Sequence, residues 1–189
     1  MFSEEKRQLV HILLLFLAFL LKYTSRGQAA VLLLVLLAMT LVVIPRIRLK
    51  NYFYRFAERK YSEGAVLYFL VLLILIVVFP LYIVAASWAI LALGDGLATL
   101  IGKHFKAKEL PWNGDKSYAG SLAFFIFGTI GATVLLKWML PELSFNLALI
   151  AAAKTALVAA LVESLPLKVN DNVSVAVTSA FVMYLLKIV

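Results

Sequence analysis

The sequence predicts an all-α protein, a polytopic membrane bundle of about seven transmembrane helices. Three observations carry this. The 189 residues are 64% hydrophobic, with a mean hydropathy of +1.00, a level that one soluble domain of this length does not reach. The apolar residues fall in long uninterrupted runs, where a membrane β-barrel would show alternation. Lysines and arginines concentrate in short segments between the runs, giving a net charge of +8, the distribution that sets orientation in a membrane.

The runs follow in order. The first, Leu9 to Tyr23, is short for a span and needs Lys22 to snorkel or the bilayer to thin. Lys6 and Arg7 precede it as in a signal peptide. No small-x-small cleavage site follows, so it reads as a retained helix. The second runs from Gln28 to Ile44 and stops at Pro45. The third, Ala65 to Phe79, and the fourth, Leu81 to Ile101, meet in a tight turn at Pro80. The fifth covers Ala119 to Leu140, the sixth Phe145 to Leu165, and the seventh Val173 to Val189. The whole chain, 1–189, reads as one integral-membrane domain, with the chemistry-bearing part at 94–172.

Two basic loops set the expected orientation. Arg46 to Glu63 carries Arg46, Arg48, Lys50, Arg55, Arg59 and Lys60; Gly102 to Tyr118 carries Lys103, Lys106, Lys108 and Lys116. Two spans separate them, so they share a face, which the positive-inside rule makes cytoplasmic. The N-terminus joins that face and the C-terminus lies opposite. In the 46–63 segment, Leu49, Phe53 and Phe56 recur at helical spacing with arginines on another side. It reads as an amphipathic helix on the membrane surface that grips anionic lipid. A contact from these arginines to a substrate phosphate is the alternative. Nucleic-acid binding does not fit, because the basic residues lie on short loops between spans.

Composition excludes other chemistry. There are no cysteines, which removes disulfides and thiolate metal sites, and the two histidines, His11 and His104, do not make a histidine-rich metal centre. No histidine lies near a suitable serine for serine hydrolysis. Gly96 to Lys103 approaches a phosphate-binding P-loop, but has one residue too many between its glycines and His104 where serine or threonine is required. Asn172-Val173-Ser174 is a glycosylation sequon on the expected cytoplasmic side.

Four polar clusters then fall at one membrane face. They are Gly94-Asp95-Gly96 with Thr99, Gly102 and Lys103; Lys116-Ser117 with Gly120-Ser121; Glu163-Ser164; and Asp171-Asn172. A carboxylate inside an apolar helix is costly and marks function by default. Asp95, Glu163 and Asp171 are oxygen ligands of the kind magnesium takes together with substrate phosphates. The start of a helix bearing Ser117, Gly120 and Ser121 suits a phosphate. The inventory fits phosphoryl transfer, which needs cations on the phosphates and a hydroxyl held in line. Structural alternatives stand beside each cluster. Asp95 can pair with Lys154, which sits mid-span in the sixth segment. Glu163 can mark a helix end, and Asp171-Asn172 can be an N-cap. His104 reads as interfacial. Gly128 and Gly131 are too close for a Gly-x-x-x-Gly motif but should let helices approach.

These motifs, in this order from about residue 80 to the C-terminus, resemble the membrane lipid-alcohol kinases. That group includes dolichol kinase, phytol kinase and the CTP-dependent diacylglycerol kinase, within the superfamily that also holds phosphatidate cytidylyltransferase. The resemblance extends to Arg7 and His11 at the start of the first helix. It departs at Phe105-Lys106-Ala107-Lys108, which lacks a glycine after the aromatic residue, and at Ala176, where a proline is common.

The resemblance implies transfer of phosphate from a nucleotide, CTP, with Mg2+, to the hydroxyl of a long-chain lipid alcohol: a polyprenol, phytol, geranylgeraniol or diacylglycerol. It implies catalytic roles for Asp95, Lys116, Glu163 and Asp171, of which Asp95, Glu163 and Asp171 hold the metal. Nucleotide binding would fall to Gly94, Gly96, Lys103, Ser117, Gly120, Ser121, Asn172, Arg7 and His11. CDP-lipid synthesis of the cytidylyltransferase kind is the enzymatic alternative, and a small transporter or scaffold the non-enzymatic one. A homo-oligomer is compatible with the sequence, which does not decide the oligomeric state.

Overall fold

The computed structural model describes residues 4–47, 54, 60–105 and 108–188. The expected amphipathic segment at 46–63 lies mostly outside the described residues. The remainder is helical, and the described chain passes seven times between two ends of one bundle.

The first pass is α1 (Glu4–Leu13), α2 (Leu15–Leu20) and a tight turn at Leu21–Tyr23. It begins earlier than the expected Leu9 and breaks at Leu14. Leu9, Leu13, Phe16 and Leu20 form its exposed outer stripe, while Ala18 and Leu21 are buried. The second pass is α3 (Arg26–Ala38), started by a reciprocal cap. The Ser25 amide donates to Gln28 Oε1 at 2.8 Å, and Ser25 Oγ accepts from the Gln28 amide at 3.3 Å. It continues through wide turns at Met39–Val43 to Arg46. The third pass, α4 (Glu63–Val78), is capped by Ser62 and ends before Pro80, which cannot continue a helix.

The fourth pass is the centre of the bundle. It comprises α5 (Leu81–Ala89), a widened turn at Ile90–Asp95, and α6 (Gly96–His104). Its apolar stretch is 78% buried, against 22% for the Arg26–Arg46 rod at the periphery. The widening falls on Gly94-Asp95, and such widened turns recur at functional sites. A short antiparallel hairpin follows, β1 (Glu109–Leu110) and β2 (Asn113–Ser117). The sequence reading treated this segment as loop. The hairpin docks on the next-but-one helix: Trp112 Nε1 and Asn113 Nδ2 donate to the Ser164 carbonyl at 3.1 and 3.2 Å. That carbonyl lies in a last helical turn and lacks an intrahelical donor.

The last three passes are α7 (Tyr118–Met139), α8 (Phe145–Ser164) and α9 (Asp171–Leu185). An alanine stripe on α8, with Ala148, Ala152, Ala156 and Ala159 fully buried, lets α7 approach. A Cβ built on Gly128 would sit 3.5 Å from Ala156. At Gly131 it would sit 2.8 Å from Leu93 and 3.2 Å from Ala89. Leaving glycine gains under about 1 kcal/mol of helix propensity, whereas overpacking costs about 1–3 kcal/mol. Gly131→Val is therefore expected to lower the thermal midpoint in detergent.

Among the described residues, four helices are long and apolar enough to cross a membrane: Arg26–Arg46, Leu81–His104, Tyr118–Met139 and Phe145–Ser164. α4 and α9 are apolar but shorter. α4 is cut by Pro80. α9 starts at Asp171, is capped by Asn170, and ends at Leu185 with Lys187 at a φ of 45°, short of the expected Val189. The end opposite the polar clusters is tied by Lys22 Nζ donating to the Trp138 carbonyl at 2.8 Å and Arg26 donating to the Val77 carbonyl at 2.6 Å. Lys154 is exposed on the outer face of α8, so the alternative that pairs it with Asp95 is overturned.

Candidate active site

Four elements bring the polar clusters together at one end of the bundle. Asp95 comes from the widened turn before α6, Lys116 from β2, Glu163 from the last turn of α8, and Asp171 from the first turn of α9. Asp95, Glu163 and Asp171 each offer a carboxylate oxygen within 4.8 Å of the others. Lys116 Nζ lies between them. It donates to Asp171 Oδ2 at 2.8 Å and makes a short contact to Glu163 Oε1. The other oxygen, Glu163 Oε2, is buried with no hydrogen-bond partner, and a buried carboxylate oxygen without one is costly.

Within this cluster one ammonium faces three carboxylates. Like charges this close repel unless a cation or protons compensate. Burial pulls the Lys116 pKa down, but Glu163, Asp95 and Asp171 outweigh it and leave it well above the ordinary lysine range. A lysine whose folded pKa is raised gives stability that is full below its unfolded pKa and lost as pH rises through the folded one. Lys116 therefore stays charged, and no loss of stability from its titration is expected between pH 6 and about 10. A thermal-melt series over that range, compared between the wild type and Lys116→Met, checks this.

Beside the carboxylates lies a cavity of about 400 Å3, within the size range of small-molecule sites. Lys103, Lys116, Ser117, Gly120 and Ser121 line it, as expected from the sequence. Thr99 does too, and so do Glu109, Gly114 and Asp115 of the hairpin, which the sequence reading missed; the Asn113-Gly114 turn signal was the one pointer to them. Ser121 Oγ is buried without a partner. Ser117 is the N-cap of α7, and its Oγ accepts from the Gly120 amide at 3.2 Å, so that amide is already used. Gly102 and Gly120 let α6 and α7 cross at backbone distance. A Cβ on Gly102 would lie 3.7 Å from Gly120 Cα and 2.9 Å from Ser117 Oγ.

Other expected residues stand elsewhere. Gly94 and Gly96 face neighbouring side chains, not this cavity. Built Cβ atoms there would sit 3.2 Å from Phe124 and 2.6 Å from Ile12, so both serve packing. Gly96 in particular lets α1 approach and brings His11 beside Asp95. His11 Nε2 lies 3.0 Å from the Leu91 carbonyl and 3.9 Å from Asp95 Oδ2, the second too long for a hydrogen bond. Arg7, His11 and Asn172 line a second, smaller cavity. Asn172 Nδ2 donates to the Gly64 carbonyl at 2.8 Å and ties α9 to α4. The N-cap reading of Asp171 is corrected: Asn170 holds that position, through the Asn172 amide at 3.1 Å, and Asp171 faces Lys116. His104 is exposed.

Comparison with known proteins bears on the family resemblance. Over 134 residues the chain is 36% identical to "Probable phytol kinase, chloroplastic" of Triticum aestivum, covering 66% of this chain and 44% of that protein. It is 34% identical over 105 residues to "Phytol kinase 1, chloroplastic" of Arabidopsis thaliana, covering 52% and 34%. It is 33% identical over 104 residues to "Farnesol kinase, chloroplastic" of the same plant, covering 51% and 33%. The chain thus matches less than half the length of these relatives. No protein-family model and no solved structure matches it. The resemblance to lipid-alcohol kinases is shown over that shared part of the chain.

Proposed function

We propose that this protein is a nucleotide-dependent kinase of a long-chain lipid alcohol, acting at the cytoplasmic face of a membrane that the chain spans as one unit. The observation that carries the reading is the meeting of three carboxylates within 4.8 Å, one of which, Glu163, lines a cavity together with Lys103, Lys116 and Ser121. CTP is the expected donor, on the family resemblance. Phytol and farnesol are the acceptors named for the relatives, so a linear isoprenoid alcohol is preferred over diacylglycerol.

The donor set fits a magnesium ion: oxygen ligands from Asp95, Glu163 and Asp171, with Glu163 Oε2 lacking any other partner. Bound there, the ion would neutralise charge on the transferring phosphate. The protein's own groups do the rest. Lys116 and Lys103 supply positive charge to the nucleotide phosphates, and Ser121 offers a hydroxyl donor. The alcohol oxygen bonds to the γ-phosphorus, the bond from that phosphorus to the bridging oxygen breaks, the nucleoside diphosphate leaves with the electron pair, and the hydroxyl proton passes late to an oxygen of the transferred phosphoryl group and on to water. Little covalent work falls to the protein, since positioning and charge dominate phosphoryl transfer.

The test is label transfer from γ-labelled CTP or ATP, with Mg2+, by purified protein in mixed micelles. The acceptors would be phytol, farnesol, geranylgeraniol, a polyprenol, diacylglycerol and phosphatidate. A labelled isoprenyl monophosphate is the expected product. Pyrophosphate release with phosphatidate would place the protein with the cytidylyltransferases, and no turnover with any acceptor would overturn the kinase reading.

A further inference from the structure

The second cavity has a lining separate from the first, and His11 in that lining lies 3.9 Å from Asp95. It measures about 30 Å3 and is lined by α1, the start of α4 and Asn172 of α9. Its apolar walls are Val10 and Leu14 on one side and Ala65 and Phe69 on the other. Two polar side chains at this cavity have unspent hydrogen-bonding capacity. His11 Nε2 is engaged with the Leu91 carbonyl at 3.0 Å, which makes Nε2 the donor and leaves Nδ1 as the acceptor of the neutral ring. The Tyr68 hydroxyl accepts from Trp88 Nε1 at 2.6 Å and keeps its own proton to donate. The two rings pack edge to face, 4.7 Å apart.

We infer that this cavity seats the hydroxyl end of the acceptor alcohol, while the larger cavity takes the nucleotide, with Asp95 beside the lining of both; the inference rests on the kinase reading above. The cavity has room for a hydroxyl-sized group, since a water molecule needs about 10–15 Å3 of such space. An alcohol both donates and accepts, the pairing that His11 and Tyr68 leave open. The tail of the alcohol is then left to run outward between α1 and α4, beside the exposed apolar stripe of Leu9, Leu13 and Phe16. Arg7 and His11 accordingly belong to the acceptor side and not to the nucleotide. His11 is a positioning residue here, since its Nε2 lies 3.9 Å from Asp95.

Two measurements test this. Ala65→Leu and Val10→Phe fill the cavity from opposite walls without touching the carboxylates. Each is expected to raise KM for the isoprenoid alcohol at least about tenfold, with KM for the nucleotide within about twofold; a few intruding carbons in a tight site are worth that much. The second measurement needs no turnover. A farnesol analogue carrying a diazirine near its hydroxyl is photolysed on the full-length protein and the adducts are mapped by mass spectrometry. Label in 4–13 and 63–78, competed by unlabelled farnesol, is expected. Label in 98–121, label that does not compete, or unchanged alcohol KM in both variants would overturn the assignment. A wild type without any kinase activity would overturn the kinase reading instead, and the adduct map would still decide whether the cavity binds the alcohol.

Discussion

Asp95→Asn is expected to lower phosphoryl transfer by at least about 10^2–10^3-fold while leaving the protein folded. The size follows from weakening the hold on the cation that would neutralise the transferring phosphate; losing one electrostatic contribution of this kind costs about 3–4 kcal/mol in comparable cases. That the fold survives follows from the geometry. Among the described residues no hydrogen bond to the Asp95 side chain is present, and its nearest basic group, His11, is 3.9 Å away. Replacing it with a neutral isostere relieves repulsion from Glu163 and Asp171, so thermal stability without divalent cation should hold or rise. Kinetics and a thermal melt on one preparation separate the two roles. An Asp95→Asn protein that fails to fold would mean that the carboxylate is structural, and full activity would remove it from the site.

Lys116→Met is expected to act in the opposite sense on stability. It strips the one ammonium from a cluster in which the Glu163 side chain is 3% exposed. Breaking a fully buried pair costs about 3–5 kcal/mol. The Asp171 side chain is 37% exposed, and solvent there screens part of the loss, so about 2–3 kcal/mol is expected. Because three carboxylates are then left without their ammonium, Mg2+ should raise the midpoint of this variant more than that of the wild type. Phosphoryl transfer should be lost under both conditions, since the charge on the nucleotide phosphates goes with the side chain. A variant as stable as the wild type and indifferent to Mg2+ would show that the three carboxylates are not a cation site.

Most of the helical passes were legible in the sequence because their cause is local. Long runs of Leu, Ile, Val and Phe, punctuated by Pro80, are one-dimensional signals. The acids and Lys116 were legible for the same reason, since charge inside or beside an apolar run stands out. Less legible was which small residues serve packing and which serve ligands. Gly94 and Gly96 read as part of a phosphate site because they flank Asp95, yet they face Phe124 and Ile12. Glu109 and Asp115 were invisible because a hairpin of a few residues carries too little pattern to separate it from loop.

The sequence by itself determined the all-α class, the order of the passes and the inventory of charged groups. Each rests on hydropathy and residue type along the chain. Only the tertiary structure decided that residues 95, 116, 163 and 171 meet, that Lys154 is turned outward from the bundle, and that His11 and Arg7 line a different cavity from Lys103 and Ser121. Those relations depend on how far one helix rotates and how closely another approaches. Rotation and approach are set by contacts between residues 50 to 100 positions apart, such as Gly96 against Ile12, for which a linear sequence has no local signal.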